Sequence, residues 1–494
     1  MKKYILAIDQ GTTSTRAILI NSKGEEVCKA QRPLECLFPR PGWVEQDPNK
    51  VWISVIDVVN EVLVTADVSF EEIASIGITN QRETTIVWEK KTGVAVSNAI
   101  VWQSKQTQAL CDERMEKMSF IQERTGLRMN PYFSASKIRY ILDNIPDGQA
   151  RAENGELLFG TVDTWIIYKM TKGKSHATDV SNASRTMLFN IFDMRWDEEL
   201  LKIWNIPACM LPEVKDNSAD FGEAVFFAKG LHINGVAGDQ QAALFGQCCF
   251  NKGESKNTYG TGCFMLMNIG DKPFISKTGL LTTVAWREKG VTTYALEGSV
   301  FIAGAIVQWL RDQTRWFEDS VDSEYYASKR PDTAGVYFVP AFVGLGTPWW
   351  DDEVRGAIFG LTRGSDRHNI TRAALYSVAY QTRDVIDAMQ REAGLELSVL
   401  RVDGGASANK LLMQFQSDIL QCEVHLPKCI ETTALGAGYL AGLGVGFWKD
   451  KEDIVSCHVI SKTYVPKMEK EEAEKLYRGW LCAVAAARMF KPEK

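Results

Sequence analysis

The chain has no Cys-x-x-Cys pair, and its eleven cysteines fall at spacings that suggest no disulfide framework. An odd cysteine count in a chain of this length predicts a reducing compartment. Five histidines, at 176, 232, 368, 425 and 458, are too scattered for a zinc site. Basic residues give no surplus: 56 Lys and Arg stand against 62 Asp and Glu, with a formal charge of −6 and a pI near 5.7. A nucleic-acid partner would call for a basic stripe, so none is expected. No apolar run is long enough to insert in a membrane; Ala434 to Phe447 is short and interrupted by glycine. Lys2 and Lys3 precede only five apolar residues before Asp9, which does not make a secretory signal, and Pro492-Glu-Lys494 is no peroxisomal address. These absences together predict a cytoplasmic protein. Neither the Walker pattern GxxxxGK[ST] nor a GxGxxG turn opening a helix is present.

What remains is an ordinary globular composition, 45% hydrophobic and 24% charged, over 494 residues. That length exceeds a single core and predicts two large domains. Tyr4–Ile8 is an apolar run of strand length, followed by Asp9-Gln-Gly-Thr-Thr13 and a second run, Arg16–Ile20. Strand, Gly/Thr turn and returning strand make a hairpin whose tip offers N–H groups and hydroxyls. Asp47-Pro48 reads as N-cap and first helical residue, with Trp52, Val55, Ile56, Val59 and Leu63 behind it at helical spacing. Ser69-Phe-Glu-Glu72 fits a capping box before the strand Ile76–Thr79. Strands and helices alternate onward, which argues for an α/β architecture. A second Gly/Thr turn, Tyr259-Gly-Thr-Gly262, adjoins the run Cys263–Met267, and Asp403-Gly-Gly405 lies between a strand and a helix. The paired turns suggest a duplicated fold with a cleft between its halves, placed at residues 1–247 and 248–494. Near the C-terminus, a charged helix face is expected to be followed by Trp480, Val484 and Met489 packing inward.

Three constellations bear chemistry. Gly238-Asp-Gln-Gln-Ala-Ala-Leu-Phe-Gly246 puts Asp239 at the mouth of a strand-to-helix turn, reachable by substrate and held by a packed helix, as a general base requires. Taken alone it reads more simply as a helix N-cap. In the two Gly/Thr turns, Thr12, Thr13 and Thr261 can donate hydroxyl hydrogen bonds. Gly11, Gly260 and Gly262 admit phosphate oxygens to the backbone. Asp9 beside the first turn could hold a metal through water. Asn80-Gln-Arg-Glu83 gathers polar groups at the end of a strand, where open α/β folds bind ligands. There Arg82 and Glu83 can donate to and accept from neighbouring hydroxyls of a polyol. Trp102, Tyr132 and Phe264 could pack against its C–H groups, although each alone reads more simply as core.

Twelve stretches together resemble the glycerol kinases. They include Asp9-Gln-Gly-Thr-Thr-Ser-Thr-Arg16, Pro41-Gly-Trp-Val-Glu-Gln-Asp-Pro48, Gly77-Ile-Thr-Asn-Gln-Arg-Glu-Thr-Thr85, Asn182-Ala-Ser-Arg-Thr-Met-Leu-Phe189, Gly238–Gly246 and Asn257-Thr-Tyr-Gly-Thr-Gly-Cys-Phe-Met265. The resemblance runs from Lys3 to about Trp448 and places the chain among carbohydrate kinases with the actin-like ATPase fold. It implies two actin-like (ribonuclease H-like) domains, glycerol and ATP as substrates, Mg2+ as cofactor, and a homodimer or homotetramer. It further implies Asp239 as general base, Arg82, Glu83, Tyr132 and Gln240 as hydroxyl contacts, and Trp102 and Phe264 as walls. Thr12, Thr13, Ser14, Arg16, Gly260, Thr261, Gly304, Gln308, Gly405, Ala406 and Asn409 match nucleotide positions. Asp9, with Asp239, matches the carboxylates that manage Mg2+, partly through water.

The chain departs from the pattern at Ser134-Ala-Ser-Lys137, where Ser-Gly-Thr-Lys is usual, and at Ser104-Lys-Gln106, where an Arg pair is usual. His232 lies too close to Asp239 to match the phosphorylatable histidine of some relatives. Phe226-Phe-Ala-Lys-Gly-Leu-His-Ile-Asn-Gly235 lacks the Gly-rich, Arg-ending loop through which some bacterial relatives bind fructose 1,6-bisphosphate. Weak or absent inhibition by that sugar is therefore expected, and a rate titration showing tight inhibition at micromolar ligand would refute it.

Overall fold

The computed structural model describes residues 2–490; the sequence ending Pro492-Glu-Lys494 lies outside the described residues. Two mixed sheets, of six and seven strands, organise the chain. In the first half, β1 (Tyr4–Gln10), β2 (Ser14–Asn21) and β3 (Glu26–Pro33) form an antiparallel meander. Helix α1 (Pro48–Ala66) follows, its N-terminus capped by the Asp47 side chain, which accepts from the Asn49 amide. The next two strands, β4 (Ile73–Asn80) and β5 (His232–Gly238), run parallel to β1, giving the order β3-β2-β1-β4-β5. Helix α2 (Asp239–Gly246) closes this half.

The second half repeats the plan. β6 (Ser255–Tyr259) and β7 (Cys263–Gly270) form a hairpin, and β9 (Val291–Val300) joins β7 antiparallel, with β8 (Leu281–Glu288) outside it. β10 (Val399–Asp403) and β11 (Glu423–Pro427) continue parallel to β6, so β9-β7-β6-β10-β11 mirrors the first sheet strand for strand. Helix α3 (Thr432–Gly444) follows β11 as α2 follows β5, and β12 (Ile460–Tyr464) adds an edge. The duplication anticipated from the two Gly/Thr turns is thus a shared topology: each turn is the three-residue tip of the hairpin that opens its half.

Alternation along β1 explains how the first sheet is buried on both faces. Leu6 and Ile8 pack with Val51, Val55, Val59 and Val62 of α1, while Ile5 and Ala7 pack with Leu435 and Leu440 of α3. Helix α3 belongs by sequence to the second half yet lies on the sheet of the first, against α2. Neither helix carries bulk where they cross. A Cβ at Gly436 would sit 1.8 Å from the Ala242 carbonyl oxygen, and one at Gly246 would sit 2.0 Å from the Thr432 carbonyl oxygen. The glycines therefore bring the two backbones together at one point.

The C-terminal helix α4 (Lys470–Met489) buries Trp480 and Val484 as expected, but Met489 is 87% exposed. At about 100° per residue, Met489 lies five positions beyond Val484 and points away from the stripe that Trp480, Val484 and Ala487 share.

Substituting Gly436→Ala forces the α2–α3 crossing apart, and a loss of about 2 kcal/mol or more is expected in urea unfolding. Gly364→Ala, at a site whose nearest neighbour is Thr362 Oγ1 at 3.8 Å, should change stability by less than about 0.5 kcal/mol. Equal midpoints for the two variants would show that the crossing tolerates a side chain.

Candidate active site

The site begins under the first Gly/Thr tip. Gln81 Nε2 donates to Gln46 Oε1 at 2.8 Å and to Gln10 Oε1 at 3.2 Å, so three buried amides support the loop Gly11-Thr12-Thr13. Gly11 N donates to Ser14 O, closing the loop. Trp102 Nε1 donates to Thr12 Oγ1 at 2.8 Å, which pins the indole against the tip. Tyr132 and Phe264 meet the same indole edge-on, with centroids 5.4 and 6.4 Å away. Trp102, Tyr132 and Phe264, far apart in sequence, thus form one aromatic corner.

Asp239 is the first residue of α2, with Gly238 in the N-cap position. Its Oδ1 accepts from the Gln240 amide at 2.7 Å and lies 3.1 Å from Arg82 Nε. The side chain is 31% exposed, whereas Arg82 beside it is buried. The carboxylate therefore stands at the rim, anchored from behind. The N-cap alternative does not describe this arrangement.

Behind Asp239 lies a buried charge network. Arg82 grips Glu297 with two hydrogen bonds, Nη1 to Oε2 at 2.6 Å and Nη2 to Oε1 at 2.9 Å, and donates to Gln241 Oε1 at 3.2 Å. Arg185 donates to Glu83 Oε1 at 2.6 Å and to Glu297 Oε1 at 3.1 Å. Arg82 and Glu83, adjacent in sequence, are 3.8 Å apart and share these other partners instead of pairing tightly. Burial alone would push the Glu297 carboxyl up, but Arg185 and Arg82 outweigh it and hold it at about 2. Glu83 is pushed up by burial, against the pull of Arg82 and Arg185. It also sits at φ +60°, a backbone strain of the sort concentrated at functional sites. Its carbonyl is held by Ser134 Oγ at 3.1 Å and Thr85 Oγ1 at 3.0 Å.

Gln240 turns its Oε1 toward the Lys256 ammonium. Near the first loop, Arg16 Nη1 reaches Glu431 at 3.2 Å and Asp9 at 3.5 Å. Asp9 is buried, and its carboxyl is pushed up to about 7 by that burial and by Asp239 and Glu431, against Arg16. On the other side, the Thr261 carbonyl accepts from the amides of Ala303 and Ala305, and the Gly260 carbonyl from Gly304. The second tip is thereby fastened to the start of the helix Gly304–Asp312. Gln308 is exposed on that helix, Thr13 is exposed at the first tip and Gly405 is exposed beyond β10. Asn409 has a structural occupation: its Oδ1 caps the helix Lys410–Leu420 by accepting from Leu412 N. Among the described residues, no hydrogen bond, ion pair or ring contact links Gln308, Ala406 or Asn409 to the aromatic corner or to Asp239.

Models of the FGGY family of carbohydrate kinases match residues 4–246 with their N-terminal domain and residues 255–445 with their C-terminal domain. The chain belongs to that family. Within it, the chain is 56% identical to a glycerol kinase of Bacillus cereus over 99% of its own length and all of the relative's. It is likewise 56% identical to a glycerol kinase of Carboxydothermus hydrogenoformans over the full length of both. A Plasmodium falciparum glycerol kinase solved with ADP superposes with a TM-score of 0.92 at 37% identity, covering 98% of each chain. A gluconate kinase from Lactobacillus acidophilus, at 21% identity and a TM-score of 0.88, shares the fold.

Sequence reading missed four members of this kinase site. Arg185, Glu297, Lys256 and Gln241 are buried, and three of them are ionisable. Two of them carried a signal. Glu297 directly follows the apolar stretch Tyr294-Ala-Leu296 within a buried strand, and Lys256 stands in a buried strand whose nearest acid, Glu254, pairs with Arg401 instead. Charged residues are almost never fully buried unless paired, so each position demanded a partner from elsewhere in the chain.

Because the folded state depresses the Glu297 carboxyl from an ordinary 4.5 to about 2, its stabilisation is fully present above about pH 4.5. It is lost as pH falls through about 2. Glu297→Gln should therefore cost about 3–5 kcal/mol near neutrality. The gap from the parent protein should narrow as pH is lowered from 4.5 toward 2, read as urea midpoints at a series of pH values. A gap independent of pH would remove Glu297 from the charged network.

Proposed function

We propose that this kinase transfers the γ-phosphoryl group of ATP to a terminal hydroxyl of glycerol, giving glycerol 3-phosphate, in the cytoplasm. The observation that carries the reading is Asp239. It is a carboxylate at the head of a rigid helix, open at the rim and set 3.1 Å from the guanidinium of Arg82. The Gln240 amide donates to it, and Arg185, which pairs with Glu83 of the same charge network, lies 5.9 Å from the ring of Tyr132 in the aromatic corner. Relatives that match over the whole chain are named glycerol kinases, which supports the choice of polyol.

In this reading Asp239 accepts a hydrogen bond from the attacking hydroxyl and takes its proton as the bond to phosphorus forms. Phosphoryl transfer depends on alignment and charge more than on covalent help, so orienting that hydroxyl is the larger part of the task. Arg82 and Glu83 present a donor and an acceptor to the remaining hydroxyls, with Tyr132 and Gln240. Trp102 and Phe264 face the carbon chain. Leaving any of these buried polar groups unpaired would cost about 1–3 kcal/mol, which is the basis of discrimination against smaller alcohols.

For the nucleotide we assign the tips Thr12, Thr13, Ser14 and Gly260, Thr261, with Arg16, to the phosphates. Gly304, Gln308, Gly405, Ala406 and Asn409 are assigned to the nucleoside side. Asp9 and Asp239 would hold Mg2+. A buried carboxyl raised by a second carboxylate suits a divalent cation, and such an ion would neutralise charge on the phosphates. Among the described residues no three acidic, His or Cys side chains form an all-protein metal site, so water and phosphate would complete the shell. The halves 1–247 and 248–494 are proposed to close over the cleft about the α2–α3 crossing, which would exclude water from ATP.

Purified protein with MgATP should release ADP only when glycerol is present, beside pentuloses and gluconate as controls. Release with another polyol alone would move the substrate, and release with none would indicate an ATPase serving a partner. Asp239→Asn should lower kcat by about 10²-fold or more with nucleotide binding retained; near-normal turnover would remove Asp239 from its role.

A further inference from the structure

Lys256 lies on β6 with its ammonium fully buried, and it makes three hydrogen bonds from three N–H groups. It donates to Gln240 Oε1, to Thr258 Oγ1 at 3.0 Å and to the Phe264 carbonyl at 3.2 Å. An ammonium has only donors, so the group that faces it must be the amide oxygen of Gln240 and never its nitrogen. The orientation of that amide is thereby settled by charge. Among the described residues, Gln240 Nε2 makes no hydrogen bond, and Gln240 adjoins Asp239 at the head of α2. The same ammonium holds the backbone of Phe264, whose ring forms part of the aromatic corner.

We propose that Lys256 is a positioning residue for substrate recognition, which turns the Gln240 amide so that its N–H group is presented to a substrate oxygen. The inference rests on the polyol reading above. It assigns Gln240 a definite role, as donor to a hydroxyl or carbonyl oxygen, and it gives a lysine of the second half control over a contact built on the first. The position is costly: burial pulls the ammonium down to about 8, against Asp403, Asp239 and Glu297, with Arg82 adding to the burial. A lysine that served only to fill space would be replaced without loss by a methionine.

A double-mutant cycle tests this. Lys256→Met should raise KM for glycerol by about tenfold or more, with KM for ATP within twofold of the parent. In a Gln240→Leu background the same substitution should add less than about twofold, because the group it positions is already gone. Equal effects of Lys256→Met in both backgrounds, or a parallel rise in KM for ATP, would overturn the proposal. Should Lys256→Met fail to fold, Gln240→Glu serves instead, since it keeps a partner for the ammonium but has no N–H to present. It should unfold at the parent's midpoint yet show the raised KM for glycerol, and a parental KM would overturn the proposal. The parent enzyme is assayed first on the polyol panel, and the cycle is run with whichever polyol it accepts. Failure of the glycerol reading then appears in the parent alone, before any variant is compared.

Discussion

The crossing of α2 and α3 is the constraint on which the rest of the molecule depends. Each is the helix that follows the last strand of the shared five-strand order, so the duplication makes them equivalent, and they meet where Gly246 and Gly436 leave no room for side chains. Close packing at the crossing ties together three things. Helix α2 starts with Asp239. Helix α3 starts beside Glu431, which pairs with Arg16 of the first hairpin and with Lys29. Asp403, at the end of β10, accepts from Gln247 just beyond α2 and from Thr432 at the start of α3. Asp239, the first Gly/Thr tip and the Gly-Gly turn of the second half are therefore referred to one rigid junction.

A second coupling crosses the cleft through charge. Glu297 comes from β9, next to the edge of the second sheet, yet its partners Arg82 and Arg185 belong to the first half. Two guanidiniums and the carboxylates of Glu83 and Glu297 nearly balance within the buried space, with Asp239 left at the edge. Burying such a set is unfavourable unless every member is paired. The network thus ties the orientation of Arg82 to the register of a strand in the other half. Lys256 makes the same kind of link in reverse, reaching from the second half to Gln240 on α2. The settings of Arg82 and Gln240 accordingly depend on both halves at once.

Much of this was legible in the residues. The hairpin tips, the Asp47 cap on α1, the strand ending at Asn80 and the strand-to-helix turn at Asp239 are local features with local physical causes. The buried ionisable groups were not legible as a set. Arg185 stands among small polar residues and could belong to any surface turn, and only its contacts 2.6 Å from Glu83 and 3.1 Å from Glu297 give it a meaning. Met489 fails for a simpler reason, since hydrophobicity alone does not place a residue on the buried stripe of a helix near its end.

The sequence by itself determined the alternation of strands and helices, the two glycine-threonine tips, the acid at the head of a helix and the absence of metal-site and disulfide spacing. Each of these is written over fewer than about ten consecutive residues, through periodicity, capping and turn chemistry. The tertiary structure decided which charges share one buried space, which helix crosses to the other half's sheet and which way Gln240 presents its amide. Those outcomes depend on pairs as distant as Arg82 with Glu297 and Gly246 with Gly436. Desolvation and close packing act on whichever groups the fold brings together, whatever their separation along the chain.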